Sequence, residues 1–138
     1  FFSLELQRLY GYLYQNTNKN YCIVHALDGY DEISLTGPTK IITNQSEVML
    51  LPSDLNLDLL NENDIFGGRS VEEASVIFKN IINGNGTKPQ NDVVCINAGL
   101  AVATVNNISH KDGFELAKES LESGKAKRSL EKLIELTT

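Results

Sequence analysis

A chain of 138 residues is long enough to bury a sizeable core within one domain. Twelve basic residues against 18 acidic ones leave a net charge of −6 and a pI near 4.8, which argues against a nucleic-acid or anionic-membrane surface with its clustered Lys and Arg. Its composition, 41% hydrophobic and 22% charged, is that of a soluble globular protein, and no apolar run approaches the ~20 residues of a membrane span.

From Ser3 to Asn18, Phe2, Leu6, Leu9, Tyr10, Leu13 and Tyr14 recur at helical spacing. Ser3 is placed to cap this helix and Glu5 suits its positive end. Glu5 and Gln7 also break the apolar opening that a secretory signal would need. The Asn-rich stretch Asn16–Asn20 ends the helix, and Tyr21-Cys22-Ile23-Val24 then reads as a buried strand. A helix followed by a buried strand predicts an α/β unit with parallel strand pairing. His25 to Thr36 is polar and glycine-punctuated, a loop leaving the strand's carboxyl end, where ligands of open α/β sheets usually bind.

Lys40–Thr43 and Glu47–Leu51 are short strand candidates joined by the turn residues Asn44, Gln45 and Ser46, and Pro52–Asp64 reads as irregular. Ser70-Val71-Glu72-Glu73 is a capping box for a helix whose inward face would be Ala74, Ile77, Phe78 and Ile81, ended by Gly84. Asn83–Gln90 reads as an exposed loop, and Asp92–Val105 as a buried helix rich in small residues. Ser109 starts a further helix with Phe114, Ala117 and Leu121 inward. Lys125–Leu136 forms a last amphipathic one. Cys22 and Cys95 lie in apolar runs without metal or redox spacing, which predicts buried free thiols of a cytoplasmic protein.

The densest polar cluster is the stretch from His25 to Ser34. Asp31 and Glu32 are adjacent carboxylates at the mouth of a strand, which suits magnesium, an ion that takes one or two carboxylates, several waters and phosphate oxygens. A solvated turn explains the same pair. Asp28 reads as a turn residue or a further ligand, and His25 as a hydrogen-bonded structural group. His110 reads as solvated on a surface helix. Gly67-Gly68-Arg69 before a helix is either an anion site or a tight turn. Asn83–Lys88 lacks the spacing of a phosphate-binding Walker loop.

The order of segments carries more. HALDGYDEISLTGPTKI, a hairpin, a proline-led loop, FGGRSVEEA, the apolar NAGLAVA helix and LESGKAKRSLEKL resemble, along nearly the whole chain, the anthranilate phosphoribosyltransferases. The resemblance implies that residues 1–138 are the C-terminal portion of a large, mostly parallel-sheet α/β domain of the nucleoside phosphorylase/phosphoribosyltransferase type, ending in several helices. It implies a tryptophan-biosynthesis enzyme that joins anthranilate to phosphoribosyl pyrophosphate, with Mg2+ held by Asp31 and Glu32. His25 and Ser34 also align with common family residues, and no catalytic role passes to either. Arg69 stands where the family usually has an acidic residue, and Glu73 where it commonly has Asn.

The stretch contains no counterpart of the family's N-terminal helical domain, which supplies its dimer contact, nor of its Gly-Thr-Gly-Gly-Asp pyrophosphate loop. The Lys-His-Gly-Asn stretch and the anthranilate-binding arginine are absent too; the only arginines are Arg8, Arg69 and Arg128. The chain also opens on Phe1-Phe2, with Met49 its only methionine, as a piece of a longer protein would. Alone it is expected to be inactive, because half a site cannot position two substrates. A fragment of a pyrimidine nucleoside phosphorylase, or of a non-catalytic nucleic-acid-binding paralogue, is the alternative.

Overall fold

The structure, a computed structural model, describes all residues from Phe1 to Thr138. Helix α1 spans Leu4–Tyr14, with the Ser3 hydroxyl accepting the Leu6 N–H at 3.2 Å. Three strands follow, β1 (Cys22–Ala26), β2 (Thr39–Thr43) and β3 (Glu47–Leu50). Two short 3-10 turns, Pro52–Leu55 and Glu62–Ile65, lead into helices α2 (Val71–Ile82), α3 (Lys88–Asn106), α4 (His110–Glu122) and α5 (Lys125–Thr137).

The strands form one sheet in the order β1-β2-β3, and both pairs are antiparallel, with Val24 opposite Ile41 and Ile41 opposite Val48. The β2–β3 pair is the hairpin expected from the Asn44–Ser46 turn, whereas the antiparallel β1–β2 pair differs from the parallel pairing expected from the helix-then-strand order. Parallel neighbours need a crossover, usually through a helix. The loop joining β1 to β2 contains no helix, so the chain folds back on itself. The β2–β3 turn is fixed by the Thr43 hydroxyl oxygen, which accepts the N–H groups of Gln45 and Ser46 at 3.1 and 3.0 Å.

Helix α1 lies on β1 and β2. Its buried residue is Gln7, whereas Leu9 and Leu13, expected inward, are 62% and 64% exposed. Gln7 is drawn in because its Nε2 donates to the carbonyls of Ile23 and Lys40, both at 2.8 Å. Gly11 leaves room for Ile42, and Phe1, Tyr10, Tyr14 and Tyr21 stack successively at ring separations of 4.9, 6.2 and 5.6 Å.

The main core joins Ile41 and Leu50 of the sheet to Cys95, Ile96 and Leu100 of α3 and to Phe114, Ala117 and Leu121 of α4. Burying each large apolar side chain contributes ~1.5–3 kcal/mol. Helices α3 and α4 turn by 118° around a contact between Gly99 and Gly113 that no side chain separates. Asn107, in the left-handed conformation at φ 54°, ends α3.

Four further expectations are corrected. No residue of α2 is buried, and Phe78, expected inward, is 52% exposed; of the expected face, Ile81 packs against the core and Ile77 is half-buried. Glu73 takes the N–H of Arg69 at 2.6 Å rather than that of Ser70, although Ser70 caps Glu73 as expected. The end of the expected 83–90 loop is helical. Thr87 and Gln90 cap each other reciprocally, and Pro89 sits in the first turn of α3, where its missing N–H costs nothing. His110 is half-buried and not solvated.

Candidate functional site

The loop Leu27–Pro38 connects the carboxyl end of β1 to the start of β2. Its first turn is closed by Gly29, whose N–H donates to the Ala26 carbonyl at 3.1 Å and whose φ of 101° favours glycine. The Ala26 N–H reaches across to Tyr30 O at 3.1 Å. Asp31 and Glu32 follow, both exposed, and then Ile33, Ser34 and Leu35, all buried. The loop therefore lifts two carboxylates into solvent directly beside an anchored segment.

Two groups of contacts hold that segment. Within the loop, the hydroxyls of Ser34 and Thr36, 2.8 Å apart, both face the carboxylate of Asp28, Ser34 at 3.2 Å. Asp28 is thus occupied as a turn-forming acceptor, with Gly37 leaving room beside it. From outside the loop, the side-chain amide of Asn97 on α3 holds both main-chain polar groups of Ile33, and the Leu60 N–H donates to Leu35 O at 2.9 Å. Leu35 is buried in the left-handed conformation, φ 60°.

The Asp31 side chain is 73% exposed, and the Phe1 nitrogen donates to Asp31 O at 2.7 Å. Neither Asp31 nor Glu32 pairs with a lysine or arginine. The structure brings together no group of three or more His, Cys, Asp or Glu residues able to enclose a metal ion. An exposed pair of carboxylates without a lysine or arginine partner fits magnesium, which keeps waters and completes its shell from substrate phosphates, and does not fit a closed all-protein cage.

The remaining candidates fall away from the loop. His25 is buried on β1, where its Nδ1 is hydrogen-bonded to the carbonyl of Phe1, a structural role. At Gly67-Gly68-Arg69 the turn explanation prevails. Gly68 has φ 92°, a Cβ there would lie 2.8 Å from Glu73 Cβ, and the N–H groups of Arg69 and Glu73 are taken by Glu73 and Ser70. His110 borders a hollow of about 300 Å³ lined by Tyr21, Thr43 and Asn107 among others. That hollow lies at the amino end of β1, away from the acidic loop. No single helix is long and apolar enough to cross a membrane.

Sequence reasoning missed Asn97. Its signal is slight, one amide within an otherwise apolar helical run.

Residues 3–127 match the model of the glycosyl transferase family, a/b domain. The chain is 59% identical over 136 residues to the anthranilate phosphoribosyltransferase of Flavobacterium johnsoniae and 43% identical over 136 residues to that of Bacteroides thetaiotaomicron. The matches cover 99% and 98% of this chain but 41% of each relative, so the chain spans well under half of their length. Among solved structures, the anthranilate phosphoribosyltransferase of Thermus thermophilus superposes with a TM-score of 0.83 at 26% identity, over 95% of this chain and 40% of that one. The Saccharomyces cerevisiae enzyme in complex with PRPP and Mg gives 0.81 at 25% identity, over 94% and 38%.

Proposed function

The chain belongs to the glycosyl transferase family through its α/β domain, and from that premise we propose that it is the magnesium-holding part of an anthranilate phosphoribosyltransferase. The observation that carries the reading is the pair Asp31–Glu32, exposed on an anchored loop and free of any lysine or arginine partner. Support comes from relatives that carry the name of this enzyme and from the yeast enzyme's complex with PRPP and Mg.

In that reaction the amine of anthranilate displaces pyrophosphate from the anomeric carbon of the ribose. Magnesium, when bound, supplies Lewis-acid stabilisation of the departing pyrophosphate. The work of this chain is to bind and orient: Asp31 and Glu32 offer negative charge on the exposed loop, and neither gives up or takes a proton. Asp28, Ser34 and Thr36 fix the path of the loop that presents them. The pyrophosphate loop and the anthranilate-binding residues belong to the rest of a longer protein, so the 138-residue chain alone does not catalyse transfer.

The rest of that protein also supplies the parallel part of the sheet, next to the open edge of β1, and a helical domain through which two subunits pair. The protein acts in tryptophan biosynthesis, in the cytoplasm. A pyrimidine nucleoside phosphorylase is disfavoured because it needs no magnesium–pyrophosphate, which is what the open carboxylate pair suits.

The test uses the complete protein, comparing wild type with Asp31→Asn and Glu32→Gln across a magnesium titration. Each variant should lose at least about 10-fold in turnover at low magnesium, since even outer-shell losses cost that much. Each should recover partly as magnesium rises, with an unchanged thermal melt. Unchanged magnesium dependence in both would reduce the pair to a solvated turn.

A further inference from the structure

We infer that Asn97 is a positioning residue for the Asp31–Glu32 pair: from helix α3 it sets where the two carboxylates stand by gripping the main chain of Ile33. The inference rests on the metal-holding role proposed above for that pair.

The Ile33 N–H donates to Asn97 Oδ1 at 3.0 Å, and Asn97 Nδ2 donates back to Ile33 O at 2.8 Å and to Val93 O at 2.9 Å. The amide face thus does for Ile33 what a neighbouring strand does in a ladder, pairing donor with acceptor and acceptor with donor. Its orientation is fixed by these partners. Reversed, the amide oxygen would face two carbonyls and its NH2 group would face an N–H. Val93 O lies one turn earlier on the same helix, so the third bond ties the side chain to its own backbone and limits its freedom.

The platform beneath it is stiff. Two residues beyond Asn97, Gly99 meets Gly113 of α4 at main-chain contact distance, and the flanking Ile96 and Leu100 are buried in the core. Ile33 immediately follows Glu32. The hydrogen bonds among Asp28, Ser34 and Thr36 stay within the loop and give it shape without giving it a place. Asn97 joins that shape to the core across 64 residues of sequence. A pair of carboxylates must stand at a defined separation from the phosphates to share a magnesium ion with them, and groups that orient metal ligands affect metal affinity nearly as ligands do.

The experiment compares wild type, Asn97→Ala, Asn97→Ser and Asp31→Asn in the complete protein. Two quantities are read: amide exchange at Ile33 in metal-free protein, and the magnesium concentration giving half-maximal turnover beside the KM for anthranilate. Asn97→Ala should speed exchange at Ile33 and raise the magnesium requirement by roughly 10-fold. Turnover should recover at high magnesium and the anthranilate KM should stay put, a pattern that general loss of folded enzyme does not give. A folded Asn97→Ala variant with wild-type magnesium dependence, or with unchanged exchange at Ile33, overturns the inference. If Asn97→Ala does not fold, Asn97→Ser, which leaves a smaller hole, takes its place, and either readout unchanged in it overturns the inference equally. Magnesium dependence unchanged in Asp31→Asn and also in the Glu32→Gln variant described above removes the metal role and this role with it. A shift in Asp31→Asn with none in the Asn97 variants removes the role of Asn97 alone.

Discussion

Gly99 and Gly113 meet back to back, so that a methyl group on Gly113 would lie 2.2 Å from the Gly99 carbonyl oxygen and one on Gly99 would lie 2.6 Å from the Phe114 nitrogen. Both obstacles are main chain and cannot swing aside. Gly113→Ala and Gly99→Ala should therefore each destabilise the fold by ~1–3 kcal/mol, the usual cost of overpacking. Gly67→Ala, where a new methyl meets nothing within 4 Å, is the control. Urea midpoints should fall for the first two and stay for the third; three equal midpoints would contradict the close approach.

His110 has its pKa pushed below the ordinary 6.5 by burial, which penalises the imidazolium. Between the folded-state pKa and about 6.5 the unfolded chain binds more protons, so stability rises with pH across that window. The contribution of His110 is complete above about pH 6.5 and is lost as the pH falls toward the folded value. Replacing it with non-titrating Gln should flatten that part of the stability profile, measured as urea midpoints at about pH 7.5 and 5.5. An unaltered slope would mean that the ring is not desolvated.

The thiols of Cys22 and Cys95 are both pushed up to about 11, burial being the main cause in each. Near pH 8 only roughly 0.1% of either is thiolate, the reactive form. Native protein should give almost no colour with a disulfide reagent at that pH, and two equivalents on addition of denaturant. Fast labelling of native Cys22 would show that its thiol is not shielded by burial.

Leu35 is fully buried with its backbone in the left-handed region. Leu35→Ala should cost ~2–5 kcal/mol through the cavity it leaves. Leu35→Gly loses slightly more side chain but relieves a conformation that costs a non-glycine residue ~1–2 kcal/mol. At this position glycine should be no worse than alanine, the reverse of the usual order, and thermal melts of the two variants decide it.

Much of this was legible in the sequence, for local reasons. Ser3, Ser70 and Ser109 cap their helices as their spacing predicts, and the Asn44–Ser46 turn makes the hairpin. The acidic loop follows β1 as expected because glycine and short polar residues cannot continue a strand. What escaped depends on neighbours far along the chain. The inward place of Gln7 is set by carbonyls of Ile23 and Lys40, and α2 meets the core through Ile81 while Phe78 stays exposed. The antiparallel pairing of β1 with β2 was hidden because a buried apolar run looks alike in either direction. The start of α3 is a local signal too, since Thr87, Pro89 and Gln90 spell it out, but their polarity also suits a loop.

Asn97 hydrogen-bonds to the main-chain N–H and carbonyl of residue 33, and that makes its hydrogen bonds indifferent to which side chain residue 33 carries. Valine or leucine at position 33 keeps the same two partners for the amide, whereas at position 97 even glutamine, one carbon longer, displaces both. The two positions therefore differ sharply in mutational tolerance. On the function proposed above, saturation mutagenesis of the complete protein scored for growth without tryptophan should return several apolar residues at 33 and asparagine almost alone at 97, although 33 lies beside the acidic pair and 97 does not.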